Sequence, residues 1–216
     1  MTRRLRIAGL AFIAVLAAAG SACIKEENTV TIYLDPTGSV TWSIFEKNVR
    51  SDEKDRDSRQ TEENAFIIAA RVHQHPAMTG LQRLGATSIK DQILQDKPPF
   101  SVMTEGHFRS LEEMGRRLIT AYGMAGTSVV SRDGEKWVWT LTFDFVPKEP
   151  ASDQDTAELV ALLGDKLHVA LREGEFLEAD GFTINDDKRL AELSGDLVEP
   201  RDRNDPPKIL KLVWRM

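Results

Sequence analysis

Two stretches of the chain alternate apolar and polar residues around a tight turn, which is the pattern of a β-hairpin. In the first, residues 30–34 and 40–44 flank Asp35-Pro36-Thr37-Gly38, a segment that suits a type I turn. In the second, the strands meet at Asp133-Gly134, and residues 137–145 place every second side chain on one face. The members of that face are Trp137, Trp139, Leu141, Phe143 and Phe145. The pattern predicts that this face packs in the core; a stacking platform for cell-wall sugars is the alternative.

Other segments have the spacing of amphipathic helices. Residues 108–122 carry one apolar stripe that ends before Gly123. Residues 152–163 begin with Ser152-Asp153-Gln154-Asp155, which resembles a capping box. A shorter helix is expected over residues 78–84.

The segment of residues 51–64 is too polar to lie in a core, and it mixes both signs of charge. It predicts a solvated loop that runs into a helix over residues 65–72. Glu62 and Glu63 then lie in the first helical turn, where the helix dipole favours acidic side chains.

The remaining periodic segments are short. Strands are expected over residues 87–96, 100–108, 166–171, 182–184 and 208–216, and a helical turn over residues 187–193. Hairpins interspersed with helices indicate an α+β fold, with a mostly antiparallel sheet built from hairpins and helices packed on one face.

The N-terminal segment has the features of an export signal. Arginines at three of the first six positions precede an apolar run of 13 residues, 7–19, which is shorter than the roughly 20 residues that span a bilayer. Gly20-Ser21-Ala22 then supplies the small residues that a signal peptidase recognises, and Cys23 follows. Cys23 is the one cysteine of the chain, so no internal disulfide can form.

The sequence "AGSAC" resembles the lipobox of bacterial lipoproteins. Ser21, Ala22 and Cys23 fit the pattern of that family, whereas Gly20 stands where Leu is usual. The resemblance implies a diacylglycerol thioether on Cys23, with acyl chains such as palmitate, and cleavage before that residue. Two alternatives stay open, namely simple secretion after cleavage by an ordinary signal peptidase and an uncleaved N-terminal membrane anchor.

These observations predict the organisation of the chain. Residues 1–22 are expected to be a lipoprotein signal peptide, residues 23–28 a short tether with lipidated Cys23, and residues 29–216 a single α+β globular domain. Ile24, rather than Asp, follows the cysteine, and the resemblance then favours the outer membrane, facing the periplasm, if the host has two membranes.

Composition limits the partners of the mature chain. Removing residues 1–22, which carry three arginines and no acid, lowers the formal net charge from -6 to -9. An acidic surface repels nucleic acid and anionic head groups, so the expected partners are the membrane, through its lipid anchor, and an envelope protein.

Histidines are the strongest candidates for chemistry. His73 and His75 could act as a catalytic base or as metal ligands, but no third ligand is marked by spacing. A position at a helix C-terminus, where the dipole favours a cation, is the plainer interpretation. His107 is a further candidate base.

Two acidic or nucleophilic patterns are weaker. Ser51 and Lys54 match S-x-x-K, but the companion elements of penicillin-recognising enzymes are missing from the sequence. Asp52, Asp55 and Asp57 suggest a calcium loop, yet Arg59 falls at a ligand position. No dinucleotide, Walker or C-x-x-C motif occurs, so no cofactor or metal is expected.

The sequence thus favours a lipid-anchored envelope protein with a non-enzymatic binding or assembly domain. One alternative is an envelope hydrolase that uses His73 or His75. Another is a lipid- or glycan-binding module with a groove between the sheet and its helices.

Overall fold

The computed structural model describes residues 24–149 and 151–216, which form eleven strands and four helices. The strands are β1 (Ile24–Leu34), β2 (Val40–Ser51), β3 (Ser88–Gln95), β4 (Phe100–Phe108), β5 (Ala125–Asp133), β6 (Lys136–Phe145), β7 (Lys166–Leu171), β8 (Glu175–Asp180), β9 (Phe182–Ile184), β10 (Leu190–Leu193) and β11 (Lys208–Arg215). The helices are α1 (Arg56–Arg71), α2 (Pro76–Arg83), α3 (Leu111–Ala121) and α4 (Asp153–Leu163).

The strands form two sheets. The larger sheet has seven strands in the order β3-β4-β2-β1-β7-β10-β9, and the smaller has four in the order β5-β6-β11-β8. Among the described strand pairs only β1 and β7 run parallel. The α+β class and the mostly antiparallel pairing are therefore confirmed, with the strands divided between two sheets.

The helices divide between the sheets as well. Trp42 of β2 donates its indole N–H to the carbonyl of Leu162 in α4, at 3.1 Å, and α2 packs against α4 on the same side of the larger sheet. Phe66 and Ile67 of α1 pack against β2 and β4 on that side, whereas α3 packs on β5 of the smaller sheet. The prediction that the helices pack on one face of the sheet thus holds for α1, α2 and α4 on the larger sheet.

The aromatic face of β6 lies in the core, as its alternation predicts. Trp139, Leu141 and Phe143 are buried, and Trp137 and Phe145 at the two ends of the strand are partly exposed. Both sheets contribute to one main apolar core.

The first strand begins earlier than expected. Residues 24–28, for which the sequence suggested a tether, belong to β1, and Ile24 pairs with Ser51 of β2. Cys23 and residues 1–22, predicted to be a signal peptide, lie outside the described residues. Within residues 24–149 and 151–216, no helix has the length and apolarity needed to cross a bilayer.

Three local predictions were wrong. Helix α1 begins at Arg56 rather than near Glu62, because Asp55 caps it by accepting a hydrogen bond from the backbone N–H of Ser58 at 2.9 Å. Residues 190–193, expected in a helical turn, form strand β10 beside β7. Phe108 ends β4 instead of starting a helix, since Ser110 caps α3.

Candidate functional site

A row of polar side chains crosses the helix-covered face of the larger sheet. It consists of Asp91, Thr104, Glu46 and Asn28, one from each of β3, β4, β2 and β1. We call this set the polar row. Asp91 pairs with Thr104 across the strands, and Glu46 pairs with Asn28. Thr104, Glu46 and Asn28 are at most 2% exposed, so polar groups occupy positions where alternation calls for apolar ones.

The polar row separates two apolar clusters. On one side, Val49 of β2 and Val102 of β4 pack beneath α1. On the other side, Ile44 of β2 and Phe108 of β4 belong to the main core. The same strands therefore pass from apolar to polar to apolar, and α1 rests on a cluster of its own.

His75 extends into the polar row from the start of α2. Its Nε2 lies 2.9 Å from Oγ1 of Thr104 and 3.8 Å from Oε2 of Glu46, and its Nδ1 lies 3.9 Å from Oδ2 of Asp91. Only the first distance is short enough for a hydrogen bond. The side chain is 0% exposed, so His75 is held inside the fold rather than at a surface helix end.

His73 approaches the same carboxylate from outside. Its Nδ1 lies 2.7 Å from Oδ1 of Asp91, and its side chain is 63% exposed. The backbone of His73 is left-handed, with φ 58°, which turns the chain between α1 and α2. Asp91 thus lies between the exposed His73, to which it is hydrogen-bonded, and the buried His75.

Burial sets the protonation of the two innermost groups. Desolvation, with a smaller effect of the charge on Glu26, raises the pKa of Glu46 to about 8. Desolvation lowers the pKa of His75, although Asp91 partly opposes that shift. At neutral pH a protonated Glu46 therefore faces a neutral imidazole, and no charge is left in the centre of the row from these two groups.

The side chains of Thr104, His75 and Asp91 follow one another in space as a hydroxyl, an imidazole and a carboxylate, as in a catalytic triad. The order alone does not supply a reactive centre, because Thr104 and His75 are both 0% exposed and no substrate atom can reach the hydroxyl. The separation of 3.9 Å between His75 and Asp91 also exceeds a hydrogen bond. The convergence required by the hydrolase alternative is present, but access is not.

The other predicted residues lie apart from this cluster. His107 is on the opposite face of β4, where its Nδ1 is 3.1 Å from Oγ1 of Thr41. The hydroxyl of Ser51 donates to Glu62, and Asp55 caps α1, where the hydrogen bond from Ser58 lowers the pKa of Asp55. In the described part of the chain no three His, Cys, Asp or Glu side chains are grouped to hold a metal ion.

A second candidate site is an apolar pocket at the end of the sheet opposite Ile24. Its volume is about 290 Å³, and we call it the aromatic pocket. The apolar side chains of its wall are those of Leu34, Pro36, Leu111, Val130, Trp137, Trp214 and Met216. Trp137 and Trp214 stack there with ring centroids 6.4 Å apart and planes 14° apart.

Two carboxylates lie at the edge of the aromatic pocket. Oδ1 of Asp35 forms an ion pair with Nε of Arg172 at 3.0 Å, and this pair balances the charge of Asp35. Glu112 accepts a hydrogen bond from the N–H of Val130 at 3.1 Å and has no ion-pair partner among the described residues. The residues that line the pocket include no Lys or Arg, although the guanidinium of Arg132 lies 5.3 Å from the ring centroid of Trp137. The pocket therefore suits an apolar group without negative charge.

Sequence reasoning found the histidines but missed the groups around them. Glu46 continues the inward positions Val40, Trp42 and Ile44, and Thr104 lies in the middle of an alternating strand. A polar residue at an inward position of an alternating strand was the signal from which a buried polar site could have been predicted. The partners of those residues depend on strand register, which spacing along the chain does not give.

No family model matches the chain, and neither does any curated protein. Among solved structures, the folded domain of LppM from Mycobacterium tuberculosis, determined by NMR, is similar over 88% of this chain and 89% of its own, with 11% identity and a TM-score of 0.40. The Mu homology domain of Fcho1 from Danio rerio, with bound Eps15 peptide, is similar over 89% and 80%, with 8% identity and a TM-score of 0.22. At these TM-scores neither likeness supports an inference about this chain.

Proposed function

We propose that this protein is a lipid-anchored component of the bacterial envelope whose folded domain acts by binding rather than by catalysis. The placement of the one cysteine directly after a leader and small residues supports the anchor. The inaccessibility of Thr104 and His75 argues against a hydrolase built on the polar row. In a host with two membranes the protein resides in the outer membrane and faces the periplasm.

The observation that carries the binding role is the aromatic pocket. Its wall combines aliphatic side chains with two stacked tryptophans, which is the composition expected of a site for an apolar ligand group. A volume of about 290 Å³ accommodates one small apolar group rather than a whole lipid. The ligand is therefore an apolar group without negative charge on another envelope component.

The position of the pocket suits an anchored protein. Leu34 lines it, and Leu34 is the last residue of β1, whereas Ile24 at the other end of β1 follows the lipidated cysteine. Ten residue steps of strand, at about 3.3 Å each, separate the two ends by roughly 33 Å. The pocket of a protein held at Cys23 therefore lies at the end of β1 that is farther from the attachment point.

Fluorescence titration with the neutral probe N-phenyl-1-naphthylamine tests the proposal. Residues 24–216 are produced without the leader, and cooperative thermal unfolding is verified first. Saturable binding is expected, and Trp137→Ala should weaken it at least tenfold, which is about 1.4 kcal/mol. Phe145→Ala, on the same face of β6 but outside the pocket, is the matched control. Binding that both variants leave unchanged would rule out this site.

A further inference from the structure

A larger cavity lies at the end of the sheet where the described chain begins. Its volume is about 770 Å³, and it is an open cleft bordered by the start of β1, the exposed side of α4, strand β10 and the segment 195–198. We call it the basal cavity. Its apolar wall consists of Ile24, Leu159, Val160, Leu163, Leu167, Leu193, Leu197 and Val198.

Part of this apolar wall is uncovered. Val160 is 57% exposed, and Leu159, Leu163 and Leu193 are partly exposed around it. Apolar side chains of this kind gain free energy when another apolar group covers them. The basal cavity therefore has room and surface for an apolar chain.

The chain itself carries the nearest candidate occupant. Ile24 forms part of the wall, and Cys23 is the preceding residue. Neighbouring Cα atoms are about 3.8 Å apart, so a lipid on the Cys23 sulfur starts next to the cavity wall.

The charges around the opening argue against the alternative, insertion of this surface into the bilayer. The charged residues that line the basal cavity are Glu26, Asp165, Lys166, Glu192 and Asp196. Four of these are carboxylates, which are costly to bring into hydrocarbon. Asn28 adds a buried Oδ1 that has no hydrogen-bond partner in the described residues. An acyl chain can reach the apolar wall while these groups stay in water.

We propose that the basal cavity receives one acyl chain of the lipid attached to Cys23, so that the domain covers part of its own anchor. This inference rests on the lipidation in the proposed function. The protein then has two states, one with all acyl chains in the bilayer and one with a chain held against α4. The second state exposes less hydrocarbon to water when the protein leaves a membrane.

Photo-crosslinking in the full chain tests this proposal. The full-length protein is produced in a bacterium that lipidates it, with p-benzoyl-phenylalanine at position 160 in α4. The matched control carries the same group in place of Val129, which is 48% exposed on β5 of the other sheet. After irradiation of isolated membranes in the absence of detergent, mass spectrometry identifies what is joined to each position.

The expected result is an intramolecular adduct between position 160 and an acyl chain on Cys23, at least fivefold more abundant than any such adduct at position 129. Position 156, where Thr156 also lines the cavity, replaces position 160 if that variant loses cooperative unfolding. Adducts with bilayer phospholipid alone, or equal yields at both positions, would overturn the inference and leave the anchor intact. An unmodified Cys23 in the same spectra would instead refute the proposed anchor and, with it, the occupant.

Discussion

Oε2 of Glu46 and Nε2 of His75 lie 3.8 Å apart in the interior, and the two side chains are 2% and 0% exposed. The pKa of Glu46 is raised by burial, chiefly, and that of His75 is lowered by burial. Both shifts favour the neutral forms, because an isolated charge inside the fold costs more than a neutral polar group. The contact between Glu46 and His75, at the start of α2, is therefore one between neutral groups rather than a salt bridge.

Stability should depend on pH through Glu46. Its pKa is about 8 in the folded protein and near 4.5 for an ordinary carboxyl group. Between pH 4.5 and about 8 the folded state therefore binds a proton that the unfolded state has lost. The free energy of unfolding should accordingly fall as pH rises from about 5 to 9, by a few kcal/mol, through this group. Glu46→Gln should remove that part of the slope. Urea unfolding of both proteins across this range measures it. His75 favours the opposite trend only below its ordinary pKa, so the difference between the two proteins above about pH 7 reports Glu46. Parallel curves for the two proteins would contradict the prediction.

The hydrogen bond of His75 should contribute more to stability than that of His73. Thr104→Val leaves the buried Nε2 of His75 without its partner, so the free energy of unfolding should fall by about 1–3 kcal/mol. His73→Asn keeps a residue that tolerates positive φ, and its amide can still donate to Asp91, whose side chain is 8% exposed, so the loss should stay below about 1 kcal/mol. Chemical denaturation of Thr104→Val, His73→Asn and the unsubstituted protein measures both changes in the free energy of unfolding. Turnover of an ester substrate that disappears in His73→Asn at unchanged stability would restore the hydrolase alternative.

Local patterns sufficed where neighbouring residues determine the structure. The hairpin at Asp35–Gly38 and the buried face of β6 follow from alternation and turn chemistry alone. Strand β8 was not predicted, since within its polar sequence only Phe176 is buried and its pairing with β11 places it. The start of α1 was missed because the turns after Asp55 carry no apolar side chains.

The polar row could not be predicted from spacing. Asp91 is 18 residues from His73, and Thr104 is 29 residues from His75, and no motif relates positions so far apart. Their contact depends on the register of β3 against β4 and on the turn at His73. A polar side chain at an inward strand position signals only that some partner is needed.

The aromatic pocket should discriminate by charge. N-phenyl-1-naphthylamine and 1-anilinonaphthalene-8-sulfonate share a ring system, but only the second carries a negative charge. Glu112 lines the pocket without an ion-pair partner among the described residues, whereas the guanidinium of Arg132 lies over Trp137 and does not line it. The neutral probe should therefore bind about tenfold more tightly at low salt. Glu112→Gln keeps an acceptor for the N–H of Val130 and should reduce that preference. Fluorescence titrations with both probes, at low and high ionic strength, provide the measurement; tighter binding of the sulfonate would contradict the assigned ligand class.

Removal of the thiol should remove the lipid from the protein. If Cys23 carries a diacylglycerol, Cys23→Ser should abolish labelling by radioactive palmitate in the full chain and keep the leader uncleaved by the lipoprotein signal peptidase. Two or three acyl chains hold a protein at a bilayer, at about 0.8 kcal/mol per buried CH₂, so the anchored protein should resist extraction by high salt. The charge of the mature chain makes this test sharp, because a formal net charge of -9 offers no electrostatic attachment to anionic lipid that could replace the anchor. A form starting at Ile24 should accordingly remain in the soluble fraction. If that form still sediments with membranes, the folded domain itself holds the bilayer, and the exposed apolar wall around Val160 becomes the first surface to substitute.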